Sequence, residues 1–262
     1  MAREWDSSAY HQLSDPQFGW ALKVIKRLDA LKLGTPERIL DAGCGSGRVT
    51  AELLRKFPQS QVLAVDASEN MVGKARSTLQ QFGQRLTVEQ RDLSELSFSN
   101  SFDLIFSTAV FHWIKDHERL FSVLCRSLKP GGLLFAQCGG SPNLKRVRDR
   151  IQQLVTADKF NQYFKDWQRV WEYPGPESTT ERLKKAGFRD VSCSLEEAPV
   201  SFAEEKPYAD FLSAIIIHPY MERLPPSLQL EFKAELVRQA ALDRPPFVLD
   251  YWRLNLQGRK PR

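Results

Sequence analysis

The chain of 262 residues predicts an α/β fold, a doubly wound sheet of seven mostly parallel strands with helical cap insertions. Two observations carry this. Short apolar runs alternate with helical patterns from residue 38 to residue 138, which implies right-handed crossovers and a parallel sheet covered on both faces. The runs are nearly all apolar rather than alternating, as strands buried on both faces are.

The elements follow in order. Residues 14–33 read as a helix, with Phe18, Ala21, Leu22, Ile25, Leu28 and Leu31 at helical spacing, Ser14 or Asp15 as cap and Pro16 in the first turn. "RILDA" (38–42) is the first strand and 47–57 a helix. "QVLAVD" (61–66) is the second strand and 69–82 a helix. "LTVEQRD" (86–92) and "FDLIFS" (102–107) are the third and fourth. Residues 117–128 form a helix capped by Asp116, with Leu120, Phe121, Leu124 and Leu128 as its apolar stripe. "LKPGG" (128–132) signals a turn before the fifth strand, 133–138. Residues 178–197 read as helix, glycine stop and strand, and 247–258 as the closing strand.

The domain expectation is a core over 1–138, a helical cap insertion over 139–177, a return to the sheet over 178–199, a second cap insertion over 200–245, and a closing strand and tail over 246–262. The stretch 142–172 reads as helical and rich in aromatics, 203–242 as mostly helical.

Composition narrows the function. A net charge of +5, with 37 basic and 32 acidic residues interspersed, gives no basic stripe for nucleic acid. The four cysteines, Cys44, Cys125, Cys138 and Cys193, show no metal or disulfide spacing, so neither is expected. "MAREWDSSAYHQ" holds no apolar leader and no run is long enough to span a membrane, so a cytoplasmic location is expected.

The chemistry concentrates in "ILDAGCGSG" (39–47), where Gly43, Gly45 and Gly47 alternate. Dinucleotide folds use GxGxxG instead. Alternate glycines let the backbone turn tightly and approach a ligand closely, and the helix start after Gly47 favours a carboxylate. Asp41 at the same mouth repels a pyrophosphate but attracts an ammonium or sulfonium group. S-adenosylmethionine carries an amine, a carboxylate and a cationic sulfur, and satisfies both ends. Asp66 ends the second strand, where it can accept from ribose hydroxyls; it can also simply cap the next helix. Asp92 ends the third strand, where an adenine amine can donate to it, with Met71 and Leu93 as apolar neighbours. Ligands of open α/β sheets bind at such strand ends.

The motifs "ILDAGCGSG", "VLAVDASENMVGKAR", "QRDL", "FDLIFSTAVFHWIKD" and "LKPGGLL" together resemble the class I S-adenosylmethionine-dependent methyltransferases, whose fold is Rossmann-like. "WDSSAYHQ", "AVFHWIKDHERLF", "IIIHPYMERL" and "LDYWRLNL" are similar to the trans-aconitate 2-methyltransferase subgroup and, less closely, to the malonyl-acyl carrier protein methyltransferases. The resemblance implies metal-free O-methylation of a small or carrier-bound carboxylate, leaving S-adenosylhomocysteine. It implies cofactor contacts at Asp41, Gly43, Gly45, Asp66, Ala67, Met71, Asp92, Leu93 and Ser107, with Tyr10 and Gln17 closing over the methionyl end. His218 precedes Pro219 where the aconitate enzymes have an arginine, which weighs against trans-aconitate itself.

His112 is the catalytic candidate, as a ligand for an acceptor oxygen or as a base for a hydroxyl. With Trp113, His218, Tyr220 and Arg253 it makes up the candidate acceptor site. Tyr251 and Arg253 share one face of the last strand. His11 and His117 are expected to face solvent. The partner is a small-molecule methyl acceptor, with the acceptor atom (O, C or N) and the choice of monomer or homodimer open. A catalytically inactive cofactor-binding module is the alternative of another class.

Overall fold

Alternate residues of the strands serve two different cores. In the computed structural model, which describes residues 4, 5, 7, 13–31, 33–168 and 170–262, Ile39 of strand β1 (Arg38–Ala42) packs on one face of the sheet, while Leu40 and Ala42 pack on the other. Leu133 and Phe135 of β5 (Leu128–Gly139) likewise oppose Leu134 and Ala136. This period-two division is what a sheet covered on both sides requires.

The remaining strands are β2 (Gln61–Asp66), β3 (Leu86–Gln90), β4 (Phe102–Thr108), β6 (Arg189–Glu197), β7 (Val200–Ser201), β8 (Val248–Leu249) and β9 (Trp252–Arg259). Among the described residues, seven of the nine strands form one sheet in the order β3-β2-β1-β4-β5-β9-β6, and β7 pairs with β8 apart from it. The first five run parallel, and β9 is antiparallel to both of its neighbours. Chain order reverses between β1 and β4, so their carboxyl ends flank the crevice where such sheets bind ligands.

Helices α1 (Asp15–Arg27), α2 (Arg48–Lys56) and α3 (Glu69–Leu79) bury Val24, Leu53 and Ala75 against one face. Helix α4 (His117–Ser127) covers the other with Leu120, Phe121 and Leu124, and Asp116 caps it by accepting from the Arg119 N–H at 2.9 Å. The first helix is shorter than its apolar pattern predicts, tightening into a 3₁₀ turn at Leu28–Leu31. "LKPGG" is not a separate turn. β5 starts at Leu128, and Gly131, at φ +80°, absorbs the irregularity within the strand.

The expected helical run over 142–172 breaks into α5 (Lys145–Thr156) and α6 (Asp158–Asn161), followed by irregular chain. Helix α7 (Pro176–Lys185) returns to the sheet with Leu183. Next come α8 (Glu205–Phe211), a π-helical turn (Leu212–Ile217), α9 (His218–Met221) and α10 (Pro226–Ala241). The two insertions share one core: Ile151, Phe160 and Phe164 from the first pack with Phe211, Tyr220, Phe232 and Leu236 from the second. Among the described residues no helix is long and apolar enough to cross a membrane.

Candidate active site

A cavity of about 630 Å³ opens at the carboxyl ends of β1, β2 and β4, roofed by the cap. Its size lies within the ~300–1,000 Å³ of small-molecule sites. Its inner half is made by the glycine loop. Gly43, Gly45 and Gly47 all take positive φ, at +86°, +53° and +85°. At Gly43 a Cβ would stand 2.2 Å from Cγ2 of Val110, and at Gly47 one would stand 2.9 Å from Cδ1 of Leu79. Both positions therefore exclude a side chain twice over, by conformation and by space. At Gly45 nothing lies within 4 Å, and its open side faces the cavity.

The loop is tied to β2. The Gly43 and Cys44 N–H groups both donate to the Val65 carbonyl at 2.9 Å, and the Gly45 N–H donates to Asp66 Oδ2 at 2.9 Å. The Ser68 N–H donates to Asp66 Oδ1 at 3.0 Å. Asp66 thus braces the loop and the entry to α3 while lining the cavity. Burial raises its pKa above the ordinary carboxylate value, against the pull of these N–H groups. Ala67, Met71, Asp92 and Leu93 complete this half. Gln17 faces it from α1, and its Oε1 is buried without a protein partner among the described residues. An acceptor oxygen left orphaned beside a glycine loop, a carboxylate pair and apolar Met71 and Leu93 fits a ligand carrying an ammonium group and a nucleoside, as S-adenosylmethionine does.

Two expected cofactor contacts lie behind this wall rather than in it. Asp41 is fully enclosed and accepts from Thr50 Oγ1 at 2.6 Å; burial pushes its pKa up to about 7, with the Asp66 charge adding to the rise. Ser107 donates to the Ala42 carbonyl at 2.6 Å. Both residues set the backbone from which the loop springs. Tyr10 lies outside the described residues, as does His11.

The outer half is aromatic and cationic. His112 and Trp113 sit in a 3₁₀ turn after β4, with Trp167, Trp171 and Tyr173 of the first insertion opposite. The His112 ring stacks on Tyr173 at 5.6 Å, and its Nδ1 accepts from the Gly139 N–H at 3.3 Å. Burial first, then the nearby Arg253 charge, hold its pKa well below the ordinary histidine value. Arg253 is buried, with its guanidinium 4.7 Å from the centre of the Trp20 ring. Its Nε donates to Gln137 Oε1 at 3.4 Å, and Gln137 donates to Asn255 Oδ1, which also accepts from Arg27. A chain of polar side chains across β5 and β9 thus positions a cation at the cavity wall beside Tyr251.

His218 and Tyr220 do not reach the cavity wall. His218 faces Glu222 at 3.6 Å and stacks near Trp5; Tyr220 packs among Phe164, Trp167 and Phe232 in the cap core. Further along, Arg223 does line the cavity, 5.0 Å above the Trp167 ring. Tyr173, Gln137 and Arg223 went unread in the sequence; only the basic character of Arg223, in "YMERL", was a usable signal. His117, expected in solvent, is buried with Nε2 2.9 Å from the Phe111 carbonyl.

Comparison with known proteins agrees with this geometry. A methyltransferase-domain family matches residues 39–132. Trans-aconitate 2-methyltransferase of Deinococcus radiodurans is 33% identical over 230 residues, covering 84% of this chain and 83% of that protein. Malonyl-[acyl-carrier protein] O-methyltransferase of Methylovorus sp. is 36% identical over 147 residues, covering 53% of this chain and 49% of that protein. Phosphoethanolamine N-methyltransferase 2 of Haemonchus contortus, solved with phosphomonomethylethanolamine and S-adenosylhomocysteine, shares the fold with a TM-score of 0.63 at 23% identity, and the match covers 98% of this chain and 57% of that longer one. The glycine loop, the cavity carboxylates Asp66 and Asp92 and a relative 33% identical over most of its length place this chain in the class I S-adenosylmethionine-dependent methyltransferases, among the relatives of trans-aconitate 2-methyltransferase.

Proposed function

We propose that the enzyme methylates a carboxylate oxygen of a small, partly apolar acid. The observation that carries this reading is Arg253, a buried guanidinium at the outer cavity wall beside His112 and Tyr251. A buried cation of this kind suits an anionic acceptor, and its fork matches a carboxylate. Trp113, Trp167 and Trp171 supply the apolar lining, and Arg223 adds positive charge from the cap.

S-adenosylmethionine, bound in the inner half, supplies an already activated methyl group. Gly45 would offer backbone at close range, Asp66 and Asp92 would accept from ribose and adenine, and Gln17 Oε1 would accept from the ammonium. The protein's remaining task is to align the acceptor oxygen and exclude water, which lowers the barrier by positioning. A carboxylate is ionised at neutral pH, so no base is required.

Transfer of label from S-adenosylmethionine to a panel of carboxylic acids, trans-aconitate included, tests the reading. The expected product is a base-labile methyl ester. A base-stable product, on carbon or nitrogen, overturns it.

A further inference from the structure

A histidine beside a methyl acceptor can do two opposite things, accept a proton as a base or donate one as a hydrogen-bond partner. Here the surroundings choose. The Gly139 N–H points at Nδ1 of His112 at 3.3 Å, and a backbone amide only donates. Nδ1 must therefore offer its lone pair, which places the proton of the neutral ring on Nε2. Tyr173 stacked on one side at 5.6 Å, and Trp113 tilted at 5.2 Å, hold the ring in that orientation. Among the described residues no protein atom bonds Nε2, while the residue itself lines the cavity.

We propose that His112 is a fixed hydrogen-bond donor, holding one acceptor oxygen through Nε2–H, and that it is not a general base. The identity of that oxygen rests on the carboxylate reading above. One carboxylate oxygen is held by Nε2–H while the other forms the new O–CH₃ bond; the S–CH₃ bond breaks, its electron pair stays on sulfur, and no proton is transferred. A neutral hydroxyl acceptor would have to lose a proton, and the lone pair that could take it is committed to Gly139. His112 therefore selects for acceptors that arrive ionised.

The charged and titratable groups facing the ring keep it neutral. Arg253 opposes a second positive charge, and His117, itself held below its ordinary pKa by burial, opposes it weakly. Tyr173 and Cys138 are pushed upward by burial, Cys138 to about 12, so neither supplies a balancing anion.

The test combines a spectrum with two substitutions. A long-range ¹H–¹⁵N spectrum of the ¹⁵N-histidine-labelled protein, recorded without acceptor, is expected to show the His112 proton on Nε2 throughout pH 6–9. His112→Asn keeps an acceptor oxygen near the Nδ1 position but removes the donor, and is expected to raise KM for the acid roughly tenfold or more. His112→Gln places an amide N–H near the Nε2 position and is expected to recover part of that loss. A proton on Nδ1, or a charged ring within pH 6–9, overturns the proposal. So does a wild-type kcat that falls at acid pH with a pKa that both variants abolish. Failure of every carboxylic acid in the panel sinks the acceptor assignment alone, because the ring's proton is read without any acceptor.

Discussion

Thr50 Oγ1 donates to Asp41 Oδ2 at 2.6 Å, and this single hydroxyl is the side-chain partner, among the described residues, of a carboxylate only 2% exposed. One neutral donor offsets only part of the cost of burying the charge. Folding raises the Asp41 pKa from 3.8 to about 7. Between those two values the native state holds the proton more tightly than the unfolded chain. Stability therefore falls as pH rises through that window, and the full penalty is present above it.

The expected outcome is a melting temperature for the cofactor-free protein that declines from pH 5 to pH 8. Asp41 contributes at most ~1.4 kcal/mol per pH unit to this decline. Asp41→Asn should flatten the slope without abolishing it, because Asp66 and Asp250 are also raised by burial. A cationic ligand nearby favours the ionised carboxylate, so the variant should also bind S-adenosylmethionine roughly tenfold or more weakly. Equal slopes in wild type and variant, by thermal melts across pH, would exclude Asp41 as the source.

The glycine loop gives a steric prediction with a built-in control. Gly43→Ala puts a Cβ at 2.2 Å from Val110 Cγ2, at a φ of +86° that alanine resists. Cofactor affinity should fall at least ~10-fold, with stability lowered by about 1–3 kcal/mol. Val110→Ala added to it removes the two nearest methyls but leaves its own Cβ at 2.8 Å and the backbone strain, so calorimetric titration should show partial recovery. No recovery would mean that the strain and this remaining contact account for the loss.

What could be read from the sequence, and what could not, follows the range of the interactions. The glycine loop, Asp66 at the end of β2 and the Asp116 cap are local patterns in which neighbours along the chain decide the geometry; β3 stops at Gln90, short of the expected end at Asp92, and Asp92 instead caps a 3₁₀ turn by accepting from the Ser94 N–H at 2.7 Å. Arg253 was found through strand alternation, but its partner Gln137 lies 116 positions away and the Gln137–Asn255 bond spans 118. The bond that sets the His112 proton joins residues 27 apart, through a backbone N–H that no side-chain pattern reveals. His117 looked like a surface residue at the start of an amphipathic helix; the Phe111 carbonyl gives its ring a partner, and burial follows.

Arg253 should separate acceptor binding from cofactor binding. It bears on the outer half of the cavity, and its supports, Gln137 and Trp20, stand on β5 and α1 rather than on the glycine loop. Arg253→Ala is expected to raise KM for an acidic acceptor ~30-fold or more, the scale of losing one buried charged partner. The dissociation constant for S-adenosylmethionine should stay within about twofold. Arg253→Lys keeps the charge but not the planar fork, and should fall between the two. Parallel loss of both affinities, measured by titration calorimetry with each ligand alone, would place Arg253 in a general structural role.

Phe232 tests whether the cap is an energetic unit of its own. It is fully buried, edge-on to Phe160 at 5.3 Å and near Phe164 and Tyr220, in a cluster distinct from the two that cover the sheet faces. Truncation to alanine removes most of a ring from a packed core, at a cost of about 3–5 kcal/mol. Because its neighbours are cap residues from both insertions, that cost should fall on the cap before the sheet. The expected result is an early thermal transition, faster hydrogen exchange over 145–164 and 208–240, and a raised KM for the acceptor, with S-adenosylmethionine affinity lowered only modestly. The acceptor half depends on Trp167, Trp171 and Ile216, which the cap positions, whereas the glycine loop is braced from β2. A single cooperative transition, with cofactor and acceptor affinity lost together, would show instead that cap and sheet unfold as one body.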